Sequence, residues 1–457
     1  MKKVVALLLV LMLFAPLLSQ AEEERGMLLV SGDMFNSNMN PAFAEKYPRI
    51  TLQYPMFTEW DVITVMTQIM MPTSPADLFF FQSSRGMLDA VHRKGYCTYF
   101  PDSEALQAAE HTWPAFVRDL VEDEKGVFAV PVTLTSNWMF GYNAKVGEAL
   151  GIDPPGSLEE VMEIFAAWPE KYLDAAEDQG YYLSTHFVSM AFYLFLERGI
   201  DMYLAGCEGE ITFETPRFHA YLEKLMALKP QLDTLRDENA STLMAEDSVV
   251  AEDNALFDWY APLLRDDRIE SEYFSALPIS LLRGEEPYVP VDLCAAVLPR
   301  NAQHPETAMR YLQTLLENYP PDAQILLHPD TAQAIEEEDI EAILAELEEM
   351  MADLQARIDA CEEPLERIPL EDELADIRAE YEWRQGDGRY LYTPKRVEEY
   401  RSISPLMCQM PAVSYTYYDS QPNLHTLMEL LAAGKLPVDN FIAQFDEMQQ
   451  MMNEENQ

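Results

Sequence analysis

Between Gly126 and Asn143 the sequence reads GVFAVPVTLTSNWMFGYN. An apolar run carrying Pro131 gives way to Thr133, Thr135, Ser136 and Asn137, and a second apolar run closes on Tyr142 and Asn143. Two strand-like segments are thus interrupted by small hydroxyl residues and a tryptophan. Upstream, Gly26 to Ser31, Ile50 to Tyr54, Ala76 to Phe81 and Val127 to Val130 read as strands of a mainly parallel sheet, with helical segments near 59–71 and 84–94 between them. Downstream, Ser157 caps a helix in GSLEEVMEIFAAW and Glu160 completes a capping box, opening a mostly helical block that runs to about residue 230. Strand patterning returns in ALFDWYAPLL (255–264) and PYVPVDLCAAVLP (287–299). HPETAMRYLQTLLENY then makes an amphipathic helix with Ala308, Tyr311, Leu312 and Leu315 on one face. The sheet pattern appears twice with helices between, the order of an α/β chain that leaves one lobe, builds a second and returns.

At 457 residues the chain has room for two lobes, since single cores stop growing at roughly 250–300 residues. Its start reads as a secretory signal, residues 1–21: Lys2 and Lys3 precede an apolar run from Val4 to Leu18, and Ser19-Gln20-Ala21 supplies a cleavage site. That run is shorter than the ~20 residues of a spanning helix, and no other segment is long enough. No cysteine lies near the cleavage site, so the lipid-anchoring pattern of exported proteins is missing and the mature chain is expected to be soluble. The five cysteines, Cys97, Cys207, Cys294, Cys361 and Cys408, are widely spaced, and at most two pairs can form.

Removing the signal takes away two lysines and no acids, moving the net charge from −48 to −50. Nucleic acid and anionic membranes are therefore poor partners. Acidity is densest from Glu336 to Glu382, with 19 acids against three arginines. There Ile340, Leu344, Leu347, Met351, Leu354, Ile358 and Cys361 form a heptad seam; Pro364 and Pro369 break it, and Leu370, Leu374, Ile377 and Tyr381 resume it. This reads as an antiparallel helical hairpin packed on a lobe, its acids a solvated face, with a partner-binding coiled coil as the alternative.

Catalytic motifs are missing: there is no GxSxG, HExxH, GxxxxGK[ST] or GxGxxG, and none of the seven histidines falls at metal-ligand spacing. No metal, cofactor or catalytic residue is expected. Acids are so frequent that a glycosidase-like carboxylate pair remains an open alternative.

Four stretches, in order, resemble the extracellular solute-binding proteins of ABC importers, in particular the maltodextrin-binding group with its type 2 periplasmic-binding fold. They are FAEKYPRITLQY (43–54), ITVMTQIMMPTSPADLFFF (63–81), VFAVPVTLTSNWMFGYNAKVGEALGIDPPGSLEEVMEI (127–164) and AVLPRNAQHPETAMRYLQTLL (296–316). GKLPVDNFIAQFDEMQQMM (434–452) resembles the closing helix of many members. The resemblance implies a two-lobed α/β fold with an interlobe hinge and an added acidic hairpin at 336–382. The expected division is lobe 1 at 27–131, lobe 2 at 132–284, a return to lobe 1 at 285–328, and a helical remainder of lobe 2 at 329–457. Pro131 to Ser136 becomes the first crossing between lobes, beside a ligand cleft.

A monomeric receptor is implied that delivers a solute, expected to be a carbohydrate, to importer permease subunits. Sugars present flat apolar faces and hydroxyl rims, so aromatic, amide, carboxylate and guanidinium groups are the candidates. The resemblance places Phe81, Gln82 and Arg85 after one strand, and Asp258 with a stacking Trp259 after another. Asp33 and Asn36, Trp60 and Asp61, and Asn137 and Trp138 occupy the other strand-end loops. A Trp or Phe in such a place also commonly packs its lobe, and alternation equally allows Trp138 a core position. The alternatives are a peptide, polyamine or other small solute in the same fold, a glycan-processing enzyme, or a surface scaffold.

Overall fold

The computed structural model describes residues 27–31, 39–53, 62–101, 103–136, 139–185, 190–207, 211–235, 254–259, 261–264, 274–361, 363–410 and 423–455. The signal segment lies outside them. MLLVS forms β1 (Met27–Ser31), followed by α1 (Met39–Lys46), β2 (Thr51–Gln53), α2 (Val62–Met70), β3 (Leu78–Gln82) and α3 (Met87–Arg93). β2 and β3 flank β1, both parallel to it. β3 is a central strand, parallel to β1 and antiparallel to Val289–Val297; it reads LFFFQ without alternation, and Leu78, Phe79 and Phe81 are all buried. The expected strand at 127–130 is split: Val127 ends a short hairpin strand, and Val130 opens β4 (Val130–Thr135).

The helical block carries β5 (Phe140–Asn143), α4 (Leu158–Lys171), β6 (Tyr182–Ser184), α5 (Ala191–Ala205) and α6 (Pro216–Thr234). At the start of α4, Ser157 Oγ accepts from Glu160 N at 3.2 Å, while Glu160 Oε2 reaches back to Gly156 N at 2.7 Å. The expected box forms, closed on the residue before the cap. With β7 (Ala255–Asp258) and β8 (Phe274–Leu277) the strands order as β8-β5-β7-β6; β5 is antiparallel to β8 and β7, and β6 is parallel to β7.

β9 (Val289–Val297) is buried along its whole length. α7 (Pro305–Glu317) follows, with Ala308, Tyr311, Leu312 and Leu315 buried as its amphipathic pattern requires. Then come α8 (Ile340–Ala360), α9 (Pro364–Gln385), α10 (Pro394–Ile403), β10 (Met407–Gln409) and α11 (Val438–Glu455). The closing helix α11 is tied down by Asp446, whose Oδ1 accepts from Phe213 N and Thr212 Oγ1, and by Phe445 stacked on Phe213 at 4.0 Å.

The chain divides into two units, residues 1–133 with 293–320, and residues 134–292 with 321–457. Three passages join them, at Thr133/Leu134, Asp292/Leu293 and Pro320/Pro321. The return segment is shorter than the expected 285–328 for a visible reason. Val289–Val291 pair with β10, and Glu285 receives both Arg217 Nε and Nη2, at 2.7 and 2.9 Å, within the second unit. On the far side, Tyr400 Oη donates to Leu326 O at 2.7 Å and Arg401 Nε to Pro329 O at 3.2 Å, holding 326–329 there as well.

α8 and α9 form the acidic hairpin. Pro364 is the first residue of α9, where a missing N–H costs nothing, but Pro369 lies inside the helix rather than breaking it. The seam has one interruption, not two. Its core, Leu354, Ile358 and Leu374 with Met351, Leu370 and Ile377 partly buried, is drawn from these two helices alone among the described residues. The hairpin thus has a core of its own, while Ile340, the first residue of α8, is buried outside that core. All five cysteines are free thiols.

Candidate functional site

Because β1, β2 and β3 run parallel, their C-terminal ends at Ser31, Gln53 and Gln82 share one edge of the first unit's sheet. This edge is built firmly behind β3. Asp77, wholly buried, accepts from Leu29 N at 3.0 Å and His304 N at 2.7 Å, with His304 Nδ1 3.0 Å from its second oxygen. A buried carboxylate is tolerated only when so satisfied, and here it ties β1, the lead-in to β3 and the cap of α7 together.

Beyond β3 the chain turns sharply through Ser83–Arg85, and Gly86, at φ 70°, makes the left-handed step into α3 that a residue with Cβ resists. Ser83 Oγ accepts from Leu293 N at 3.0 Å, pinning the turn to β9. Gln82 is half-buried and pairs with Cys294 across the ladder. Phe81 is only 2% exposed, stacked on Phe79 at 5.9 Å within the sheet's packing. Arg85 contributes its backbone to the turn; its side chain lies outside the described residues.

In the second unit the parallel pair β6 and β7 ends at Ser184 and Asp258. Thr185 N donates to Phe257 O at 3.0 Å and its Oγ1 to Asp258 Oδ1 at 3.2 Å, so the hydroxyl orients the carboxylate at the strand end. Thr185 was not legible in the sequence, because Tyr182–Ser184 sits inside a block whose pattern reads as helical. Trp259 is 0% exposed, enclosed by Phe140, Phe195 and Phe165 at 4.8, 5.0 and 5.4 Å. In this arrangement its ring packs the unit and offers no open face for stacking. Buried Arg198 supports it, donating from Nη2 to Trp259 O at 2.9 Å with the guanidinium 5.2 Å from the Phe140 ring centre.

The passages are hydrogen-bonded on both sides. Tyr319 Oη donates to Pro131 O at 2.9 Å in the first unit, and Ser136 Oγ donates to Pro290 O at 2.7 Å in the second. Asp33, Asn36, Trp60, Asp61, Asn137 and Trp138 lie outside the described residues. Among the described residues no group of His, Cys, Asp and Glu side chains could hold a metal ion, and no helix is long and apolar enough to cross a membrane.

Parallel strands whose ends deliver short polar turns, in two α/β units joined by three passages, make up a solute-binding fold. The model of the bacterial extracellular solute-binding protein family matches residues 39–325, and the chain belongs to that family. Membership makes it an exported, non-catalytic receptor for a small-molecule ligand that works with an ABC transporter. Curated proteins provide no match.

Proposed function

We propose that the solute is a carbohydrate, of the oligosaccharide kind taken by maltodextrin-binding-like receptors, and that the loops after the strand ends take it. One observation carries this reading: all the candidates but Asn137 and Trp138 stand at or after the C-terminal ends of parallel strands, where open α/β sheets bind their ligands. Asn36, Gln82 and Asn137 supply amides, Asp33, Asp61 and Asp258 carboxylates, and Arg85 a guanidinium, the planar groups that match a sugar's hydroxyl rim. Stacking falls to Trp60 and Trp138, while Phe81 and Trp259, seated in the packing, carry Gln82 and Asp258 beside them. The formal charge of −48 favours a second reading, a cationic solute such as a polyamine or basic peptide.

A thermal-shift panel of oligosaccharides, amino acids, peptides and polyamines decides between them. A ligand at 100 times its Kd stabilises the native state by about 2.7 kcal/mol, a rise of a few degrees in Tm. The carbohydrate reading expects that rise with an oligosaccharide, reduced in Gln82→Ala and Asp258→Ala. A shift with amines or peptides alone overturns it in favour of the second reading.

A further inference from the structure

We propose that the α8–α9 hairpin is a docking arm for a partner protein, and that it takes a segment carrying both Lys/Arg and apolar side chains. At the start of α9, Leu365 is 83% exposed and Ile368 52% exposed, three residues apart and so on one side of the helix. Met350 on α8 is 41% exposed. Solubility accounts for acids on a helical surface but not for a large exposed leucine and isoleucine among them. The hairpin's seam does not use these side chains, since its core is Leu354, Ile358 and Leu374. Nor does the family's shared role account for the arm, because the family match ends at residue 325 and the hairpin begins after it.

Charge selects the occupant. Residues 336–382 hold 19 acids and three arginines, so a second copy would bring two such surfaces together and an anionic lipid surface would be repelled. A cationic segment meets the opposite condition: its apolar side chains cover Leu365 and Ile368 while its basic ones face the surrounding carboxylates. Most of that attraction lies between solvated groups, and salt therefore weakens it.

The test uses the full chain with a photo-crosslinking residue in place of Leu365, or of Glu373 as a control, irradiated with the envelope fraction of the bacterium that makes it. Both sites are exposed, so an unchanged Tm verifies folding. Expected is an adduct from the Leu365 site, absent from the Glu373 site, whose joined partner peptide is net positive by mass spectrometry. Its yield should fall at least fivefold from 0.05 to 0.5 M salt and about tenfold on adding Ile368→Glu. An adduct with a second copy, with lipid or with a neutral or acidic peptide, a salt-insensitive yield, or no adduct overturns the proposal.

Discussion

The cluster around Trp259 and the α8–α9 hairpin are both built on long helices, yet they are held by different means. Around Trp259, rings from β5, α4 and α5 converge within 5.4 Å, and apolar contact outweighs the cost of an indole N–H that finds no partner among the described residues. Among the described residues the hairpin buries four side chains, Ile340, Leu354, Ile358 and Leu374, along helices of 21 and 22 residues. It is helical because Ala, Leu, Glu and Met favour helix, helped by i,i+4 pairs such as Arg367–Glu371 at 2.6 Å. Within one chain, burial makes one region a structural centre and its scarcity leaves the other a surface.

That contrast breaks most visibly at Trp259. Trp259→Ala should cost about 3–5 kcal/mol, measured as a lowered urea midpoint, because the enclosing rings cannot collapse onto the space; a loss below about 1 kcal/mol would mean that the cluster does not hold the unit. Leu354→Ala should cost roughly 2 kcal/mol, but locally. Hydrogen exchange of α8 and α9 amides should then quicken about 30-fold while α4 and α5 amides keep their rates. Equal changes in both regions would show that the hairpin does not open on its own.

Acid provides a subtler probe. Burial lowers the pKa of His328 from 6.5 to about 4, so the unfolded chain binds more protons between those values. The contribution is complete above pH 6.5 and is lost as pH falls toward 4; at pH 5 the loss is on the order of 2 kcal/mol. Urea midpoints at pH 7 and pH 5 should differ less in His328→Gln than in the unaltered chain, and parallel slopes would remove His328 as the cause.

Local features were the legible ones. The Ser157 cap, the apolar face of α7 and the hairpin seam rest on contacts within a few residues, which spacing alone encodes. Pro369 misled because a missing donor normally stops a helix, whereas here one absent bond is carried by the turns on either side. The boundary between Asp292 and Leu293 was invisible for another reason: it falls inside nine consecutive buried residues, and the single charged residue among them, Asp292, breaks neither the strand nor its burial. Trp259 illustrates the limit for the site. A tryptophan following a strand can face inward or outward, and only the presence of Phe140, Phe165 and Phe195 decides for the interior.

The pinning of Ser83 by Leu293 has a consequence in time. These partners stand 210 residues apart, so at ~5–20 residues per second a ribosome needs roughly 10–40 s to supply the second after the first. Throughout that interval the LFFFQ strand has β1 on one side and no β9 on the other, a hydrophobic edge open to any neighbouring chain. The unit begun first is finished late, and a chain with this connectivity benefits from being kept unfolded and escorted until β9 has been made.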